Sequence, residues 1–165
     1  MSMPQERQPR RLSVAAWCAM AREGAAPPVT ICLAGDSMHP LIRKGRDPVT
    51  IIPLKRALKK GEMVLFTLGD GLYVVHRVWK LRGDAVRTLG DHAMNPEPWF
   101  PQQQVLGLVT CFRRGGRSYR LDTPLARGCG RCWMLLYPLR RLGWYARWAA
   151  GRCMRMLKRT GKTGT

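Results

Sequence analysis

The chain has 165 residues, of which 45% are hydrophobic, and this composition excludes an intrinsically disordered protein and allows one domain with a single core. Its 29 Lys and Arg residues against 10 acidic residues give a net charge of +19, which favours a negatively charged partner. Six cysteines without a regular spacing, in a sequence with no recognisable signal peptide, indicate reduced thiols in the cytoplasm rather than a disulfide-rich secreted protein.

The predicted elements begin with a short helix over residues 11–23, and the Gly- and Pro-rich residues 24–28 separate it from the first strand. Further β-branched and aromatic runs, divided by Gly and Asp turns, predict the other strands. The six predicted strands are residues 29–33, 49–53, 63–67, 72–81, 85–89 and 105–112. Because no helices alternate with these strands, we expect a mainly β fold in which the strands are antiparallel.

The chain divides into an N-terminal extension (residues 1–25), a β domain (26–125) and a basic C-terminal tail (126–165). Residues 131–148 interleave aromatic residues and arginines at helical spacing, which predicts a basic amphipathic helix. The predicted apolar face contains Leu135, Leu139, Leu142, Tyr145, Ala149 and Met156, and the predicted basic face contains Arg141, Arg152, Arg155 and Arg159.

A helix that carries Trp and Leu beside Arg suits an anionic membrane surface. A second interpretation is that its apolar face caps the β domain, and a third, less favoured because no nucleic-acid-binding motif accompanies it, is nucleic-acid binding. Charged residues interrupt the apolar runs, so we expect no transmembrane span. The predicted location is the cytoplasm or the periphery of the cytoplasmic membrane.

A serine lies in a tight turn directly after the first predicted strand, in the segment Ala-Gly-Asp-Ser-Met-His-Pro of residues 34–40. Gly35 lets the backbone turn sharply before Ser37, and Pro40 prevents a helix from running back across the serine. The sequence therefore predicts that the Ser37 hydroxyl lies on a loop.

A histidine in a β-branched strand and a later aspartate complete a recognisable set. Serine is a poor nucleophile at neutral pH and needs an adjacent base, a role that suits the ordinary pKa of histidine. His76 shares one face of its predicted strand with Val74 and Val78, and these apolar neighbours should lower the pKa of the imidazole. Ser37, His76 and Asp91 thus supply a nucleophile, a base and an orienting acid in chain order.

Four blocks of sequence occur in a familiar order between residues 29 and 110: Gly-Asp-Ser-Met-x-Pro, Gly-Glu-Met-Val-Leu-Phe, Val-His-Arg-Val and Leu-Gly-Asp. In this order they resemble the type I signal peptidases and their LexA-like relatives, over about half of the chain. The third block resembles the histidine-base, endoplasmic-reticulum-type variant rather than the commoner lysine-base form. The resemblance implies a signal-peptidase-like β domain that prefers small residues before the cleaved bond.

The resemblance also implies a role for each residue. Ser37 is the nucleophile, His76 is the general base, and an acid near Asp91 orients the base. Asp91 is the preferred acid. Glu97 is the alternative, because relatives of the histidine type place this acid several residues after the Gly-Asp pair. Gly35 stands where many members carry a serine that helps to hold the oxyanion, which leaves the Ser37 backbone N–H as the first candidate donor.

Together these observations predict a serine endopeptidase that cleaves a peptide or preprotein substrate at a leader, precursor or membrane-proximal segment. Two alternatives are a LexA-like regulator that cleaves itself, and a non-catalytic membrane-surface module that keeps the fold. We expect no cofactor and no metal, because neither the histidines nor the pair Cys129 and Cys132 have the spacing of a metal site.

Overall fold

The structure, a computed structural model, describes residues 13–69, 71–146 and 152. In this part of the chain eight strands pair in one antiparallel sheet: β1 (Val29–Cys32), β2 (Pro48–Pro53), β3 (Met63–Leu68), β4 (Leu72–Arg82), β5 (Ala85–Leu89), β6 (Phe100–Pro101), β7 (Val105–Arg114) and β8 (Arg117–Arg120). Their order along the sheet is β1-β2-β7-β3-β4-β5-β6, and β8 pairs with β7. The prediction of a mainly β, antiparallel fold is confirmed.

Each of the six predicted strands overlaps an observed one to within two residues at either end. The two strands that the sequence did not predict are β6 and β8. β6 has only two residues, and all four residues of β8 are exposed, so neither shows the apolar alternation by which a strand is recognised.

The hairpin between β3 and β4 carries the strand that holds the predicted base. Gly69 and Gly71 in its turn have φ values of +54° and +84°, a backbone conformation that glycine adopts without strain. These glycines separate the predicted strands 63–67 and 72–81, and Asp70 between them lies outside the described residues.

Helix α1 (Val14–Arg22) packs as part of the β domain. Ser13 caps it, since its hydroxyl accepts a hydrogen bond from the Ala16 N–H at 3.1 Å. Trp17 is 1% exposed within the core between α1 and the sheet, and its indole N–H donates to the Pro27 carbonyl at 2.6 Å. The described part of the predicted N-terminal extension thus covers the sheet and shares its core.

Helix α2 (Pro124–Leu135) and a following helical segment, residues 137–146, pack against β4 and the turn after β5. We call the segment 137–146 the C-terminal helix. Met134 and Tyr137 are buried with Leu89 in a small core of their own. In the described residues the predicted apolar face is exposed instead: Leu135, Leu139, Leu142 and Tyr145. The helices therefore cap the domain with a different face from the predicted one. Ala149, Met156, Arg155 and Arg159 lie outside the described residues.

Two glycines of α2 offer a matched pair of substitutions. A Cβ on Gly130 would lie 2.5 Å from Arg77 Nη1 and 2.8 Å from the Gly61 carbonyl oxygen, whereas a Cβ on Gly128 would meet nothing within 4 Å. We expect Gly130→Ala to lower the free energy of unfolding by about 1–3 kcal/mol through overpacking, and Gly128→Ala to raise it by up to about 1 kcal/mol through helix propensity. Urea unfolding of both variants measures the difference, and equal effects would contradict the close packing of α2 on Gly61.

Candidate active site

The loop that carries Ser37 is anchored by the residues that follow the serine. Met38 and Ile42 are both buried in the core beneath α1, and the Ile42 N–H donates to the Met38 carbonyl at 2.9 Å, which closes one helical turn. Asp36, before the serine, is exposed, and Ser37 itself is half-buried. The anchored turn therefore holds Ser37 at the boundary between core and solvent.

The turn after β5 brings the Ser37 loop and the His76 ring together. The His92 N–H donates to the Ser37 carbonyl at 2.7 Å. A Cβ built on Gly90 would lie 2.7 Å from that same carbonyl oxygen and 3.0 Å from His76 Nε2, so both atoms lie close to one point in space. Gly90 is the residue that permits this approach, because any side chain there would push the two groups apart.

His76 lies on β4 and is 5% exposed, with its ring centroid 5.9 Å from that of Phe66. Burial disfavours the charged imidazolium and lowers the pKa of His76 to about 4. The predicted direction of this shift is confirmed. The ring is therefore neutral at pH 7, which is the form that accepts a proton.

Glu97 is the acid that lies beside the imidazole. Its Oε1 is 3.2 Å from His76 Nδ1, a hydrogen-bonding distance, although the ring N–H is not directed at the oxygen well enough to form a hydrogen bond. The Glu97 backbone is fixed on both sides, since its N–H donates to the Thr88 carbonyl at 3.0 Å and its carbonyl accepts from Arg87 Nε at 2.8 Å. Burial raises the pKa of the Glu97 carboxyl.

Asp91, the preferred acid of the sequence analysis, faces a different partner. Its two carboxylate oxygens accept from Arg77 Nε at 3.0 Å and from Arg77 Nη2 at 2.8 Å, and both side chains are buried. Arg77 follows His76 directly on β4, so the strand alternation turns its side chain to the opposite face. Asp91 is therefore paired away from the imidazole, and the alternative acid Glu97 occupies the position beside it.

Three side chains of the C-terminal region hold the turn that follows β5, and the sequence analysis did not find them. Trp133 Nε1 donates to the Asp91 carbonyl at 3.3 Å, and Tyr137 Oη donates to the Met94 carbonyl at 2.8 Å. Arg140 Nη1 also donates to the Asp91 carbonyl. The helices thus reach the same turn whose next N–H, that of His92, holds Ser37.

The Ser37 hydroxyl and the imidazole share no hydrogen bond within the described residues. Catalytic hydrogen bonds are often long or misaligned without substrate, and they tighten when the substrate binds. The Ser37 backbone N–H likewise has no acceptor among the described residues, so it is free to donate to an oxyanion. A Cβ on Gly35 would meet nothing within 4 Å, so the space beside this residue is open.

An apolar groove of about 540 Å³ has Ser37 in its lining. The apolar side chains that line it include Val14, Ile31, Leu33, Leu65, Leu72 and Val75. In the described part of the sheet β1 pairs only with β2, and β4 pairs with β5 only from Arg77 onward. Two strand edges beside this groove, the outer edge of β1 and the first half of β4, therefore have unpaired backbone groups that an added strand can bind.

No helix within the described ranges is long and apolar enough to cross a membrane. The same residues contain no cluster of three His, Cys, Asp or Glu side chains that could hold a metal ion.

Two comparisons with known proteins found no match. No model of a known protein family matches the chain. No curated protein matches it in sequence either.

The pKa of His76 predicts how pH affects stability. The unfolded chain takes up a proton on this histidine below about pH 6.5, whereas the folded chain does so only below about pH 4, so the His76 contribution to stability falls as the pH falls through this window. Relative to His76→Gln, we expect the wild type to lose about 2 kcal/mol of unfolding free energy between pH 7 and pH 4.5. Urea unfolding of both proteins at the two pH values measures it, and parallel changes would contradict a buried neutral ring.

Proposed function

We propose that this protein is a serine endopeptidase with a catalytic domain like that of the signal peptidases and their LexA-like relatives. One observation carries the proposal: a buried, neutral His76 lies between the Glu97 carboxylate at Nδ1 and the Ser37 loop near Nε2. A nucleophile, a base and an acid that follow one another in space are the three groups that nucleophilic hydrolysis needs. The antiparallel sheet, which carries the serine after β1 and the histidine on β4, also supports the proposal.

The roles follow from the two ends of the imidazole. In the proposed mechanism the imidazole turns so that Nδ1–H donates a hydrogen bond to the Glu97 carboxylate, and this fixes the tautomer that leaves a lone pair on Nε2. As Ser37 Oγ bonds to the scissile carbonyl carbon, its proton passes to Nε2, and the carbonyl oxygen becomes an oxyanion held by the Ser37 N–H. When the C–N bond breaks, Nε2 gives this proton to the leaving amine.

Water then completes the cycle. It attacks the acyl carbon, gives a proton to Nε2, and releases the carboxylic acid as the proton returns to Ser37 Oγ. Asp91 takes no part in these transfers, because Arg77 occupies both of its carboxylate oxygens. Its role is to fix the turn against which Ser37 and His76 pack.

The groove at Ser37 suggests how a substrate is held. An extended peptide that adds to the open edge of β1 or of β4 gains main-chain hydrogen bonds, and its alternate side chains enter the apolar groove. We therefore propose substrates with extended segments that carry small or apolar residues just before the cleaved bond.

Glu97→Gln tests the assignment of the acid. The replacement amide keeps the size of the side chain but loses the charge that fixes the imidazole tautomer, so we expect kcat to fall about 10²- to 10⁴-fold with little change in Tm. Glu23→Gln, at an exposed glutamate, is the matched control and should leave kcat unchanged. Normal activity of Glu97→Gln would remove Glu97 from the mechanism.

The proposal itself is tested by cleavage of a diverse peptide library, with the new termini read by mass spectrometry. We expect cuts at defined sites after small or apolar residues. Rapid acid quenching should also trap an acyl-enzyme on the tryptic peptide that contains Ser37. A protein that leaves the whole library intact, with and without lipid vesicles, would overturn the proposal.

A further inference from the structure

The exposed side of the C-terminal helix is unusually apolar for a protein surface. Leu139 and Leu142 are 66% and 67% exposed, and the aromatic side chain of Tyr145 is exposed beside them. Leu135, 77% exposed at the end of α2, extends the same side. Single exposed apolar side chains are ordinary on protein surfaces, whereas a cluster of large ones on one helical face indicates an interaction surface.

The charge of the surrounding chain narrows the partner. Residues 112–165 carry 14 of the 29 Lys and Arg residues and one acidic residue, Asp122. Asp122 pairs with Arg120, at a distance of 3.0 Å, so it does not neutralise the helix. A partner for this face must therefore provide both an apolar region that buries the leucines and negative charge. An anionic membrane surface provides both.

A cavity between this helix and the turn after β5 contains an arginine side chain that can bind an anion. It has a volume of about 680 Å³, and Arg140, Arg141, His92 and Trp144 are among the residues that line it. Arg140 Nη1 donates to the Asp91 carbonyl, but Arg140 Nε and Nη2 are buried and have no acceptor among the described residues. In Arg77 the same two atoms, Nε and Nη2, bind both carboxylate oxygens of Asp91.

An unpaired guanidinium edge is an incomplete site. Leaving two buried N–H groups without acceptors is unfavourable, and two oxygens of a phosphate satisfy both at once in the bidentate geometry that arginine prefers. The Arg140 guanidinium also stacks on the Trp133 ring, with its carbon 4.4 Å from the ring centroid, which holds the unpaired edge in place.

We propose that the C-terminal helix docks on an anionic membrane, with Leu139, Leu142 and Tyr145 among the lipid headgroups and a lipid phosphate bound at Arg140 and Arg141. The helix lies parallel to the surface and does not span the bilayer. This inference does not depend on whether Ser37 is catalytic.

Vesicle sedimentation with the full chain tests the proposal. We expect binding to vesicles that contain phosphatidylglycerol and much weaker binding to vesicles of phosphatidylcholine alone. The double variant Leu139→Asp with Leu142→Asp should bind at least about tenfold more weakly, since apolar burial is lost and negative charge is added. Leu125→Asp, at a leucine on α2 that is 78% exposed and away from this face, should bind as the wild type does.

Arg141→Gln tests the phosphate contact without disturbing the turn that Arg140 holds. Arg141 is exposed, so the variant should keep the wild-type Tm and bind anionic vesicles several-fold more weakly. Arg46→Gln, at an exposed arginine near β2, should show no loss.

Three results would overturn the inference. Equal binding to neutral and anionic vesicles would mean that the negative charge of the membrane surface does not contribute. Complete release by millimolar inorganic phosphate would mean that the site takes a free oxyanion and not a membrane. Tighter binding to a DNA or RNA oligonucleotide than to anionic vesicles, lost in Arg141→Gln, would assign the surface to nucleic acid.

Discussion

Ser37→Ala is expected to lower kcat/KM for any cleaved peptide by at least about 10³-fold, because no other group at the site can form the acyl-enzyme. His76→Ala should cause a loss of similar size, since Ser37 then has no base. The two losses should not add in the double variant, because the two residues act as one unit. Peptide cleavage with mass-spectrometric detection measures all three variants.

Each of these variants has a matched control in the chain. Ser118 is an exposed serine on β8, and His39 is an exposed histidine two residues after the nucleophile. Ser118→Ala and His39→Ala should both retain wild-type activity. Full activity in Ser37→Ala would contradict the endopeptidase proposal. A loss of activity in His39→Ala equal to that in His76→Ala would contradict the assignment of His76 as the base.

Asp91→Ala is expected to be the most destabilising single substitution at the site, by about 3–5 kcal/mol, because it leaves the buried Arg77 guanidinium without its counter-ion. Guanidinium chloride unfolding measures the change. The double variant Arg77→Met with Asp91→Leu should recover most of the lost stability, since an apolar pair of similar volume avoids the desolvation of two charges.

The same experiment separates the roles of the two acids. If Asp91 oriented His76, Asp91→Ala would reduce kcat without a large loss of stability, and the apolar double variant would remain inactive. We expect the opposite: the double variant folds and cleaves, while Glu97→Gln folds and cleaves poorly. Activity that follows Asp91 instead of Glu97 would contradict the site geometry.

The strands and the base were predictable because their signals are local. β-branched runs between Gly turns predict β3 and β4, and the alternation along β4 places His76 among apolar neighbours. The choice between Asp91 and Glu97 is not local. It depends on how the chain returns after β5, where the Glu97 N–H bonds to the Thr88 carbonyl, and no residue pattern encodes that path.

The C-terminal helices show a second limit of sequence reasoning. Helical periodicity predicted a face of leucines, but burial follows Met134 and Tyr137 on another side. The hydrogen bonds of Trp133 and Tyr137 go to backbone carbonyls, which every residue possesses, so nothing in the sequence of the acceptors announces them.

Those hydrogen bonds set the smallest fragment for which we expect the proposed activity. A fragment that ends at residue 125 would contain Ser37, His76 and Glu97, yet it would lack the donors that hold the Asp91 and Met94 carbonyls. The proposed chemistry resides in residues 37 to 97, but its geometry is completed only when the chain has been made as far as Arg140. Residues 133–140 therefore govern when the proposed site is assembled during synthesis.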